Sequence, residues 1–274
     1  MALVAFCLVP ASAAQAQDRP SRIVSVNMCA DQLLLALADR DQIAALSWNA
    51  PRPALSYFAD KADGYDLTRG NAEDVIVRKP DLVLAGPFSG GPAKAAMRRA
   101  GLNVEELGIP GTPQAAADQL ETFGLLIGQG PRGAALAGEL RDAFAPREMQ
   151  GNRKLRALYL QRRGIVTGRA TMMDALMRAA GLENALEADG FARLDAERLA
   201  TVDVDLLILD GQGLTEDGDA ADQGAAMLAH PVLAARFPPS RRVVVPQAET
   251  VCPGPSLVRA LERLREAAAS VAPR

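Results

Sequence analysis

With 274 residues, 49% of them hydrophobic, the chain is long enough for one large domain or for two lobes of ordinary size. Its 30 basic and 33 acidic residues leave a net charge of −3, with no basic stripe or arm, which argues against a nucleic-acid partner. Beyond the N-terminus no stretch offers the roughly eighteen uninterrupted apolar residues of a membrane span.

Residues 1–16, MALVAFCLVPASAAQA, hold an uncharged apolar run and then small residues ending Ala14-Gln15-Ala16, the pattern of a secretory signal cleaved before Gln17. The positively charged start of such signals is missing, so the true start is expected upstream, or its charged part lost from the sequence as read. A lipoprotein anchored at Cys7 is the rival, but Phe6 is too large for the residue that precedes a lipidated cysteine. A soluble, exported protein is the preferred expectation.

Arg22 to Trp48 reads as strand, helix, strand. Ile23, Val24 and Val26 supply the first strand, and Ala44 to Leu46 sit in the second. Between them Leu33, Leu34, Leu35 and Leu37 make a helix too apolar to be exposed on more than one side, with Asp31 or Asn27 as its cap. A βαβ unit of this kind crosses over right-handed, and ligands collect where its strands end and its helices begin. That places Asn27, Met28, Cys29 and Asp31 on a ligand-facing rim, with Trp48 at the end of the next strand.

A proline-punctuated polar loop holding Arg52, Tyr57, Phe58 and Arg69 follows, and Asn71 opens a short helix stopped by Pro80. Next come a strand from Asp81 to Gly86, a Gly/Pro loop holding Phe88, a helix closed by Gly101, and a strand from Asn103 to Gly108. This alternation predicts a mostly parallel sheet. Residues 113–149 break it with two successive helical runs. The second has Leu136, Leu140 and Phe144 in one stripe and Pro146 at its end, as a connector between two sheets would. Leu155 to Gln161 restarts the pattern, followed by a glycine-bracketed loop, RRGIVTGRA, and the helix TMMDALMRAAG. LDAERLATVDVDLLILDG then echoes AEDVIVRKPDLVLAG, and a strand from Arg241 to Pro246 precedes the terminal helix. The expected fold is α/β: two Rossmann-like lobes with mostly parallel sheets, residues 20–128 and 151–274, joined by a long connecting helix over 129–150.

Trp48, Phe88 and Phe191 would give an aromatic lining suited to a corrin, haem or catecholate. Arg69, Arg162, Arg163 and Arg169 would suit an anionic chelate. Cys29 and Cys252 fall in loops of opposite lobes; a bridge across the cleft, two unpaired thiols and a soft-metal site all stay open. His230 is the single histidine, and no G-x-S-x-G elbow or phosphate-loop ending accompanies it. Neither a histidine-built metal centre, nor a cofactor, nor catalysis is expected.

RIVSVNMCADQLLLALA, GNAEDVIVRKPDLVLAG, LDAERLATVDVDLLILDG and HPVLAARFPPSRRVVVP, in that order, resemble the helical-backbone class of periplasmic substrate-binding proteins of ABC importers. This is the group serving cobalamin, ferric siderophores and haem. The resemblance runs from about Pro20 to the end. It implies two lobes that clasp one iron or cobalt chelate with little closure, and delivery to an ABC importer transmembrane permease from the periplasm. It further implies docking through one acidic residue on each lobe, and the matching positions are Glu73 and Glu197. A monomer is expected. An exported ligand sensor without transport, or an α/β enzyme, are the alternatives.

Overall fold

The computed structural model describes residues 19–146, 155–212, 214 and 222–271. The expected signal, residues 1–16, and Cys7 lie outside them. The first unit contains β1 (Ile23–Ser25), α1 (Met28–Leu37), β2 (Ile43–Ser47), β3 (Leu67–Thr68), α2 (Ala72–Ile76), β4 (Leu82–Ala85), α3 (Gly91–Arg99) and β5 (Val104–Glu106). Two helices follow, α4 (Pro113–Leu126) and α5 (Gly130–Phe144). The second unit contains β6 (Leu155–Leu160), β7 (Ile165–Thr167), α6 (Met172–Ala179), β8 (Leu182–Asn184), β9 (Phe191–Arg193), α7 (Ala196–Thr201) and β10 (Leu206–Asp210). It ends with α8 (Pro231–Arg236), β11 (Arg242–Val245), α9 (Gln247–Thr250) and α10 (Ser256–Ser270).

The first sheet is parallel throughout, in the order β3-β2-β1-β4-β5. Its strands are short apolar runs buried on both faces, Ile23 and Val24 in β1 and Leu82 to Ala85 in β4, as a parallel sheet covered by helices demands. The chain leaves β1 toward β2 on one side and later returns to β4 on the other. The crevice between the ends of β1 and β4 is therefore a topological switch point. Asn27, not Asp31, caps α1: its side-chain oxygen accepts from the N–H groups of Cys29 and Ala30, both at 3.0 Å.

The second sheet is mostly parallel, as expected, with one antiparallel insertion. β10 runs parallel to β6 and β11, and β8 parallel to β6, but β7 lies antiparallel to β6 and to β9. The segment RRGIVTGRA is not a loop: it forms a hairpin with β6. Arg163 and Gly164, at φ 60° and 73°, put two consecutive left-handed residues at the reversal, and Ile165 to Thr167 return along Leu160 and Tyr159. Three-residue strands carry too little periodicity to register as strands in sequence.

The link between the sheets is a helical hairpin. α4 packs on α1 of the first unit and α5 on α10 of the second. Leu140 and Ala137 of α5 are buried in a core that also takes Leu34, Leu120, Tyr159 and Leu261, so it runs through both units. The two helices cross at glycines: a Cβ on Gly133 would lie 2.6 Å from the carbonyl oxygen of Leu120, and one on Gly124 would lie 2.8 Å from Gly133 Cα. The connector expected over 129–150 is helical from Gly130 to Phe144, with Ala145 as C-cap just before Pro146. Residues 147–150 lie outside the described part. At the other end, buried Gln129 donates to Gln42 and Asp39, and Gln42 donates to the carbonyls of Pro20 and Ile127. These bonds satisfy amides that would be costly to bury unpaired. Among the described residues no helix is long and apolar enough to cross a membrane.

Candidate functional site

Both sheets end their strands at one crevice. The first hollow, about 380 Å³, lies at the β1/β4 switch point. Asn27, Met28 and Cys29 form one wall, Phe88 and Ser89 after β4 another, and Ile109 and Pro110 after β5 a third. The turn Val251 to Pro255, between α9 and α10 of the second unit, closes it. A second hollow, about 270 Å³, lies at the strand ends of the second sheet, with Tyr159, Thr167, Phe191, Asp210 and Thr250 among its walls. Val251 lines both. Phe88 is 89% and Phe191 68% exposed, the two most exposed phenylalanines among the described residues.

Cys29 and Cys252 are joined by a disulfide, with Cα atoms 5.1 Å apart across 223 positions of sequence. Both cysteines line the first hollow. The bond ties the N-terminus of α1 to the turn before α10, and thus one unit to the other at the wall of the crevice. Neither sulfur is a thiolate, so neither is a metal ligand.

Two buried carboxylates lie near the strand ends. Asp31 is fully enclosed and accepts from the Ser47 N–H at 3.0 Å and from the Ser47 hydroxyl. These bonds pin α1 to the end of β2, just before Trp48. Burial outweighs them and pushes its carboxyl up to about 6. Asp210, at the end of β10, lines the second hollow and accepts from the Gln212 N–H at 3.0 Å; burial raises its pKa as well. Burial, and next the neighbouring Asp210, raise the Tyr159 phenol above the usual tyrosine range.

Asn27, Met28, Cys29, Phe88 and Cys252 come together in the first hollow and Phe191 joins the second. Trp48 lines neither. It is 47% exposed, with the Arg52 guanidinium stacked 3.9 Å from the ring centre, while the next residue, Asn49, lines the first hollow. The arginines expected at the cleft line neither hollow. Arg162 is held 2.9 Å from Asp222, and the Arg163 N–H donates to the Gly224 carbonyl. Arg169 lies 3.7 Å from Asp189 on a separate depression, and Arg69 is exposed on the loop after β3. Acidic residues on neighbouring loops, distant in sequence, pair with Arg162 and Arg169, which sequence proximity to a strand end does not reveal.

Sequence reasoning passed over Gln32, Asn49, Ile109 and Gln119 in the first hollow, and Thr167, Asp210, Gln212 and Gln247 in the second. Several follow the C-terminal end of a strand, so the rule used after β1, applied after β5, β10 and β11, would have found them. Glu73 and Glu197 lie away from both hollows. They sit exposed in the first turns of α2 and α7, capped by Asn71 and Asp195, each helix leading into a strand that pairs with β1 or β6. Neither carboxylate pairs with a cation among the described residues.

Two α/β units with adjoining hollows at their strand ends, tied by a helical hairpin and a disulfide, define a two-lobed, helix-linked binding protein. The sequence pattern of the periplasmic binding protein family matches residues 23–236, and the chain belongs to that family. A curated relative, the cobalamin-binding protein of Halobacterium salinarum, is 26% identical over 201 residues. That match takes in 70% of this chain but only 54% of the relative, so the chain spans about half its length. The periplasmic haem-binding protein HutB of Vibrio cholerae has the same fold at 19% identity and a TM-score of 0.71, over 89% of this chain and 97% of that one. An ABC-type Fe3+-hydroxamate transport system protein of Saccharomonospora viridis, 21% identical, superimposes with a TM-score of 0.62 over 91% and 93%. The matched family is one of periplasmic binding proteins, and both solved structures share its fold.

Proposed function

We propose that this protein captures a bulky metal chelate, a ferric siderophore, corrinoid or haem, in the crevice between its two units. It then delivers that cargo to an ABC import permease, acting as an exported monomer in the periplasm. The carrying observation is the pair of adjoining hollows with Phe88 and Phe191 exposed at their walls. A large hydrophobic ligand would cover these rings, and burying aromatic surface is the main source of affinity available there. The relatives described as a cobalamin-binding protein, a haem-binding protein and an Fe3+-hydroxamate transport system support a ligand of this class.

The helical hairpin and the disulfide both join the units beside the crevice, so the ligand meets a nearly preformed site and little ordering cost is incurred on binding. Glu73 and Glu197 would meet permease arginines in charge-assisted pairs. Trp48 is the one tryptophan and adjoins the first hollow through Asn49, so its fluorescence reports binding. Titration with cobalamin, cobinamide, haem and several ferric siderophores is expected to give saturable quenching with at least one; a flat response to all of them refutes chelate capture. The variant carrying both Glu73→Lys and Glu197→Lys is expected to bind the cargo normally and to abolish its uptake by cells. Undiminished uptake would refute the docking assignment.

A further inference from the structure

The chemistry of the two hollows narrows the ligand. This step rests on the reading of the crevice as a chelate site. Among the described residues none that lines the first hollow is charged, and the second carries one carboxylate, Asp210, and no cation. Side-chain amides are abundant instead: Gln32, Asn49 and Gln119 in the first, Gln161, Gln212 and Gln247 in the second. Each hollow also has an unmatched polar atom in its wall. Gln32 is 3% exposed; its Oε1 accepts from the Tyr57 N–H at 3.3 Å, but its Nε2 has no partner among the described residues. The same holds for the Thr167 hydroxyl oxygen. Burying such donors unpaired is unfavourable, and a small side-chain rotation toward the hollow would let a ligand carbonyl accept from them.

Metal ligation by the protein is poorly served. The sulfurs of Cys29 and Cys252 are bonded to each other, and the Tyr159 phenol, buried beside Asp210, resists becoming the phenolate that binds iron. Met28 and Met172 offer only neutral thioethers. An anionic chelate would lose its hydration in the first hollow without a cation to replace it, and would meet Asp210 in the second. Of the arginines expected at the cleft, Arg162 and Arg169 pair with Asp222 and Asp189.

We infer that the ligand is an uncharged, coordinatively saturated chelate whose periphery carries amide or hydroxamate carbonyls. It brings all its metal donors with it, and the side-chain amides of both units recognise its carbonyl edge.

The test is Trp48 fluorescence titration of the full mature chain at neutral pH with four probes: cyanocobalamin, an uncharged ferric tris-hydroxamate, haem, and a ferric tris-catecholate. At least one uncharged probe is expected to bind about ten-fold or more tighter than both anionic ones. Asp210→Asn is expected to strengthen the anionic probes about ten-fold and so narrow the gap between the charge classes, while Gln247→Leu weakens the uncharged probe about ten-fold. Gln32→Leu should do likewise, and Gln247→Leu keeps the test sound if burial makes the Gln32 variant unstable. Tighter binding of haem or the catecholate, or equal binding of both charge classes, overturns the inference and leaves chelate capture standing. Binding of none of the four removes chelate capture, and the inference falls with it.

Discussion

The two units solve the same problem with different sheets. The first is wholly parallel, and its switch point opens between β1 and β4 into a hollow whose described lining is apolar and amide side chains without a charge. The second inserts the antiparallel hairpin strand β7, which brings Thr167 beside Tyr159 and leaves Asp210 on the wall of its hollow. Each unit also buries a carboxylate near a strand end, but with a different use. Asp31 is enclosed and bonded to Ser47, where it holds the rim from beneath; Asp210 lines the second hollow. The contrast is one of charge: amides wall both hollows, and among the described residues only the second adds a carboxylate.

The largest way to break this pairing is to cut the covalent tie. Replacing both Cys29 and Cys252 by serine, or reducing the bond, is expected to cost about 2–5 kcal/mol, because the closed loop is long and its unfolded chain gains the most freedom. Denaturant unfolding with and without reductant measures this, and coincident curves would show that the bond does not hold the units together. Next is the helical crossing. Gly133→Leu would drive a side chain into the Leu120 carbonyl and the backbone of Gly124, which cannot rotate away, at a cost of about 1–3 kcal/mol or more. A thermal midpoint equal to that of the parent chain would refute the close packing of α4 on α5.

A subtler handle separates the two carboxylates. In the folded chain Asp31 keeps its proton up to about pH 6, whereas its ordinary value is 3.8, so the folded state binds the proton more tightly. The sign is therefore stabilising at acid pH: the contribution is fully present below about 4 and is lost as pH rises through about 6. Asp31→Asn is expected to flatten stability across that window and to be the more stable chain at pH 7, by at most about 2–3 kcal/mol. Parallel pH profiles for parent and variant would show that the Asp31 carboxyl is not held against its charge. The smallest effect belongs to Asp222→Ala, which releases the exposed Arg162 pair and should change stability by less than about 1 kcal/mol. A larger loss, read from the same unfolding curves, would mean that the pair fastens the 222–225 loop to the β6–β7 turn.

Much of the architecture was written locally. Ile23 to Ser47 spells out strand, helix and strand through apolar spacing and the Asn27 cap, and Asn71 and Asp195 mark the starts of the two matching helices. Caps and periodicity act over one or two turns, so short-range sterics and hydrogen bonds are enough to read them. What only tertiary structure decided is distant neighbourhood. That Cys29 meets Cys252, that Ile109 and Gln247 wall one crevice, that Gly133 crosses Gly124, and that Asp222 draws Arg162 away from it depend on how separate elements pack. The hairpin strand β7 belongs with these. Its three residues hold no pattern of their own, and they become a strand because β6 offers an edge to pair with.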